Sequence, residues 1–62
     1  MTPETLAELE AYVREAIKAH PDRRKAIEEL VDLAGCEIDS GGSEQWECEL
    51  AYNEIQLLMY PG

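Results

Sequence analysis

Residues 26–62 contain no lysine, arginine or histidine. All five bases, Arg14, Lys18, Arg23, Arg24 and Lys25, lie before that point, as does the single histidine, His20. The first 25 residues also carry five acids (Glu4, Glu8, Glu10, Glu15, Asp22) and are therefore neutral, so the whole net charge of −9 arises from the nine acids that follow. Phosphate contacts need Lys and Arg, so direct nucleic-acid binding is disfavoured. A basic partner surface is the natural complement. The bland alternative is that the charge only keeps a small protein soluble.

Long apolar runs are also missing. Nothing approaches the roughly 18–20 consecutive apolar residues needed to cross a bilayer, so no membrane association is expected. Met1-Thr2-Pro3-Glu4-Thr5-Leu6 has neither a basic nor a hydrophobic leader region, so no signal peptide is expected and the default compartment is cytoplasmic. Cysteine is scarce: Cys36 and Cys48 occur without a CxxC motif. In a cytosolic chain the simplest role for two cysteines is as small buried hydrophobes. A thiol- or metal-binding protein using Cys36 and Cys48 is the alternative, but zinc would require two more ligands, with His20 and a carboxylate as the candidates. No metal or cofactor is expected. No Ser-His-Asp or Cys-His spacing, phosphate-binding glycine pattern or basic neighbour of a cysteine is present. A chain of 62 residues rarely encloses a substrate cleft, so the expectation is a protein that is not an enzyme.

What is present suits a small globular chain. Hydrophobic residues make up 45% of it, enough to argue against disorder. The length, 62 residues, suits one domain (1–62) near the lower limit for independent folding. Such a domain needs an economical core, a staple or a partner chain.

Two amphipathic helices are expected, over about 3–19 and 21–34. Leu6, Leu9, Val13, Ala16 and Ile17 form one helical stripe, with Thr2 as N-cap and Pro3 in the first turn. His20-Pro21 ends that helix. Ile27, Leu30, Val31 and Ala34 share a face of the second, and Gly35 suits its C′ position. The short connection implies an antiparallel helical hairpin. Arg24–Glu28 and Lys25–Glu29 are spaced to pair along its surface.

After Gly35 the period becomes two. Cys36 and Ile38 alternate with Glu37 and Asp39, and Trp46, Cys48, Leu50 and Tyr52 alternate with polar or small residues. Ser40-Gly41-Gly42-Ser43 between these runs is a turn signal. Strands are expected over about 36–39, 45–52 and 55–60. In the register that keeps apolar residues on one face, Cys36 opposes Cys48 and Ile38 opposes Trp46. The fold class that follows is α+β: a helical hairpin packed on a three-stranded antiparallel sheet. The rival is a third helix over about 44–59, which would give a three-helix bundle. Its difficulty is that Trp46, Leu50 and Leu57 fall on one side of the helix while Cys48, Tyr52, Ile55 and Met59 fall nearly opposite.

The sheet reading sets the expected sites. Glu37, Asp39, Glu47 and Glu49 would crowd together on the solvent face, at a cost of about 0.2–1 kcal/mol per directly opposed like-charge pair. They are the candidate contacts for a basic partner surface. Ile55, Leu57, Leu58, Met59 and Tyr60 would form an uncharged edge strand, which native proteins usually cover. A second copy of the chain is the simplest cover, so a homodimer is expected. The function that follows is a small acidic, non-catalytic interaction or regulatory protein. By analogy alone, it resembles in size and charge an inhibitor that occupies a nucleic-acid-binding surface.

Overall fold

The computed structural model describes residues 2–61, among which there are three α-helices and no strand. Helix α1 is Leu6–Ala19, α2 is Arg24–Asp39 and α3 is Glu44–Met59, with a 3-10 turn at Pro21–Arg23 between the first two. The expected sheet is therefore replaced. Residues 36–39 are the last turn of α2, and residues 45–52 and 55–59 lie within α3. The architecture is a three-helix bundle rather than an α+β fold.

The helix ends show why. Helix α1 begins at Leu6, later than the Thr2 cap predicts, because Thr5 and Glu8 form a reciprocal capping box. The Glu8 N–H donates to Thr5 Oγ1 at 3.2 Å, and the Thr5 N–H donates to Glu8 Oε1 at 3.2 Å. At its other end His20 leaves the helical region with φ −134° and ψ 69°, as a residue before proline does.

Helix α2 runs straight through Gly35 and ends at Asp39. Its C′ residue is Gly41, whose φ is +104°. The Gly41 N–H donates to the Ile38 carbonyl at 3.1 Å and the Gly42 N–H to the Glu37 carbonyl at 2.8 Å. Those two bonds make a Schellman motif, which satisfies carbonyls that the helix end would leave unpaired. Ser43 then caps α3, accepting from the Trp46 N–H at 3.3 Å. Ser40-Gly41-Gly42-Ser43 is thus a helix stop followed by a helix start, not a hairpin turn.

The core is small and draws on all three helices. Leu9, Val13 and Ala16 enter from α1, Ile27 and Ala34 from α2, and Cys48, Ala51 and Ile55 from α3. Leu9, Ile27, Cys48 and Ile55 are fully buried. Three of the eight are alanines, which lets the helices approach closely around few large side chains. Helices α1 and α3 run in the same direction. Near their starts the Leu6 N–H donates to Glu44 Oε2 at 2.8 Å, and at their far ends the His20 ring meets the Tyr60 ring edge-on at 5.7 Å. Between them Gln56 Nε2 donates to the Tyr12 hydroxyl at 3.0 Å, and the Tyr12 and Tyr52 rings lie 4.8 Å apart. Helix α2 is antiparallel to both and packs most extensively on α3. Among the described residues no helix is long and apolar enough to cross a membrane.

Candidate functional site

Helix α3 carries two apolar stripes. Cys48, Ala51 and Ile55 point into the core, whereas Trp46, Leu50 and Leu57 point away from it and are 58%, 41% and 66% exposed. Leu50 and Leu57 of this outer stripe border the seam with α2, where they share hollows with Leu30 and Leu33, the latter 60% exposed. Trp46, one turn before Leu50, lies outside those hollows. The result is an open groove along the α2–α3 seam. One hollow of about 390 Å³ lies towards Ala26 and Leu58, and a smaller one of about 140 Å³ continues it towards the α2–α3 loop.

Carboxylates line both walls of this groove. Glu29 and Glu37 project from α2, and Glu47 and Glu54 from α3, and no basic residue lines it. The pattern is helical spacing at work. Glu29, Leu33 and Glu37 are four residues apart on α2, and Glu47, Leu50, Glu54 and Leu57 recur every three or four on α3. Of the acids in the second half of the chain, Glu28 is held in an ion pair, with Arg24 at 3.2 Å, and Glu44 accepts the Leu6 N–H. The side-chain carboxylates of the four groove glutamates make no ion pair or hydrogen bond among the described residues.

The sequence-derived acidic cluster is divided by this geometry. Glu37 and Glu47 do come together, on opposite walls next to the loop; Asp39 and Glu49 are exposed but do not line the groove. Glu29, which does not form the ion pair with Lys25 that the sequence spacing predicts, and Glu54, not singled out in the sequence, complete the set. Their signal was the recurrence of Glu with Leu at helical spacing, which is hidden when the same residues are read with a period of two.

The expected dimer edge is also redistributed. Ile55 is fully buried and Met59 is packed against the core, so neither is available at an edge. Tyr60 caps α3 and is 64% exposed, while Leu57 and Leu58 line the groove. With no strand here, the backbone N–H groups of α3 are used within the helix and the edge-pairing basis for a dimer is removed.

The two cysteines are not cross-strand neighbours. Both are free; Cys36 is exposed on α2 and Cys48 is buried in α3. Burial pushes the Cys48 thiol above its ordinary pKa, and nearby Glu44, Glu8 and Glu47 add to the rise. That opposes the thiolate needed for metal binding or nucleophilic attack. Among the described residues no group of three or more His, Cys, Asp or Glu side chains is arranged to hold a metal ion. Tyr12 is likewise pushed up by burial and by Tyr52, against the opposing effect of its Gln56 hydrogen bond. A further hollow at the start of α1, beside Pro3 and Tyr12, includes Glu8, which is committed to the capping box.

These features define a three-helix bundle with an acid-walled apolar groove between two of its helices. Comparison with protein-family models, curated proteins and solved structures finds no match to this chain.

Proposed function

We propose that the chain is a small, non-catalytic interaction module that binds a basic surface of a partner protein through the α2–α3 groove. One observation carries this reading: exposed Leu33, Leu50 and Leu57 share the groove with four carboxylates, Glu29 and Glu37 of α2 and Glu47 and Glu54 of α3, and with no base. Fully burying a leucine is worth about 1.5–3 kcal/mol, so this groove holds unspent binding free energy. The carboxylates decide which apolar surfaces can use it. Cations relieve their mutual repulsion and speed encounter. A second copy of this chain is disfavoured as the occupant, because the same glutamates would confront one another across a two-fold axis. A partner surface rich in Lys and Arg is also one suited to phosphates, so the module would compete with nucleic acid where the partner binds it.

The test uses Trp46, the only tryptophan, as a fluorescent reporter beside the groove, one helical turn before Leu50 on α3. Titration with a Lys- and Leu-containing peptide should shift its emission, whereas a Glu-for-Lys version should not. Replacing Glu29, Glu37, Glu47 and Glu54 with Gln should weaken binding at least tenfold and flatten its salt dependence. Replacing Asp39 with Asn and Glu49 with Gln should change little. Affinity indifferent to both salt and the four groove substitutions would overturn the reading.

A further inference from the structure

We infer that the occupant of the groove is a single amphipathic helix, with an apolar stripe flanked on both sides by basic residues. The inference rests on the proposed function above and adds the shape of the partner to its charge. Two observations carry it beyond charge alone.

The first is backbone accounting. Helices α2 and α3 use their own N–H and C=O groups internally, and no sheet edge is present among the described residues. An extended segment lying against Leu30, Leu33, Leu50 and Leu57 would bury backbone polar groups with nothing to pair them. A helix brings its backbone already paired and presents only side chains. The second is the placement of the acids. They lie on both walls, and Glu29 and Glu37 are eight residues apart, about 12 Å along the helix axis at 1.5 Å per residue. Glu47 and Glu54 are seven apart, a similar span of two turns. A helix seated along the seam would therefore place apolar residues at i, i+3 or i+4, and i+7 over the leucines. Lys or Arg on both flanks of that stripe would reach the two acidic walls, as flanking charges do beside a coiled-coil seam. Seated so, it packs as an added helix on the outer side of the α2–α3 seam.

The experiment compares peptides of identical Leu and Lys composition, each of about 18 residues so that the helical one can form alone. One carries leucine at helical spacing, one alternates Leu and Lys, and one keeps helical spacing with a central proline. Each is titrated into the full chain, with Trp46 emission reporting binding and far-ultraviolet circular dichroism reporting helix content. The helical-spacing peptide should bind at least tenfold more tightly than the other two and gain helix on binding. Its affinity should fall at least tenfold with Leu33→Ser plus Leu57→Ser, changes at exposed positions outside the buried core. Equal, salt-sensitive binding of all three peptides would overturn the helix inference while leaving the basic-partner reading standing. Failure of all three to bind would overturn both. Tight binding of the helical peptide that ignores Leu33→Ser and Leu57→Ser would place it elsewhere and overturn the assignment to this groove.

Discussion

The inner and outer stripes of α3 are built from similar residues and have different fates. Ile55 is 0% exposed and Leu57, two positions on, is 66% exposed. The inner stripe is held by packing against α1 and α2. The outer stripe has acids for neighbours and no facing helix. An apolar residue in a small bundle thus need not belong to its core. Its side of the helix and the charges beside it separate a core position from an exposed one.

Substitution at the two positions should give the widest contrast. Ile55→Ala removes a fully buried side chain and should destabilise the fold by about 2–5 kcal/mol. Leu57→Ala should stay within about 0.5 kcal/mol of the parent, as exposed sites usually do. Urea denaturation followed by circular dichroism measures both. Equal losses would mean that the outer stripe is also core.

The glycines sharpen the same comparison at the level of the backbone. A Cβ on Gly42 would lie 2.8 Å from the Glu37 carbonyl oxygen, inside the Schellman motif. Gly42→Ala should therefore cost about 1–3 kcal/mol. Gly35 lies within α2 with open space where a Cβ would go. Gly35→Ala should stabilise the chain by about 0.5–1 kcal/mol, the usual gain from removing glycine from a helix interior. If Gly35 instead ended the helix with a positive φ, the same change would destabilise it.

The smallest expected effect is at alkaline pH. Tyr12 and Cys48 both have pKa values raised above their ordinary 10.0 and 9.0. Folding favours the neutral form of each. Their contribution is fully present below those ordinary values and is lost as the pH rises through the folded-state values. The urea midpoint should fall as the pH passes above this range, and Tyr12→Phe should reduce the Tyr12 share of that fall. A midpoint that rises with alkalinity would contradict the burial of these groups.

Much of the first half of the fold is visible in the sequence. The stripe Leu6, Leu9, Val13, Ala16, Ile17 and the face Ile27, Leu30, Val31, Ala34 are helical in period and pack as that period predicts. The second half is ambiguous for a physical reason. Trp46, Cys48, Leu50 and Tyr52 alternate as a strand would, yet on a helix the same four split into pairs, with Trp46 and Leu50 outside and Cys48 and Tyr52 towards the bundle. A helix with apolar residues on two sides has a weak amphipathic period, and in this bundle only one of those sides is buried. Gly35 adds to the error by offering an early stop that α2 does not take, and Gly41-Gly42 serves a helix end as readily as a hairpin. Of the site, Glu37 and Glu47 are legible as paired acids, but Glu29 and Glu54 emerge only once both helices are in place.

The most direct test of the account asks whether Trp46 and Cys48 face the same way. On a strand, residues two apart share a face; on a helix they diverge by about 200°. Thiol alkylation of the native protein, mapped by mass spectrometry, and acrylamide quenching of Trp46 can be read on the same sample. The helical account predicts rapid labelling of Cys36, protection of Cys48 until the chain unfolds, and ready quenching of Trp46. Cys48 labelling as fast as Cys36, or Trp46 shielded together with Cys48, would contradict it.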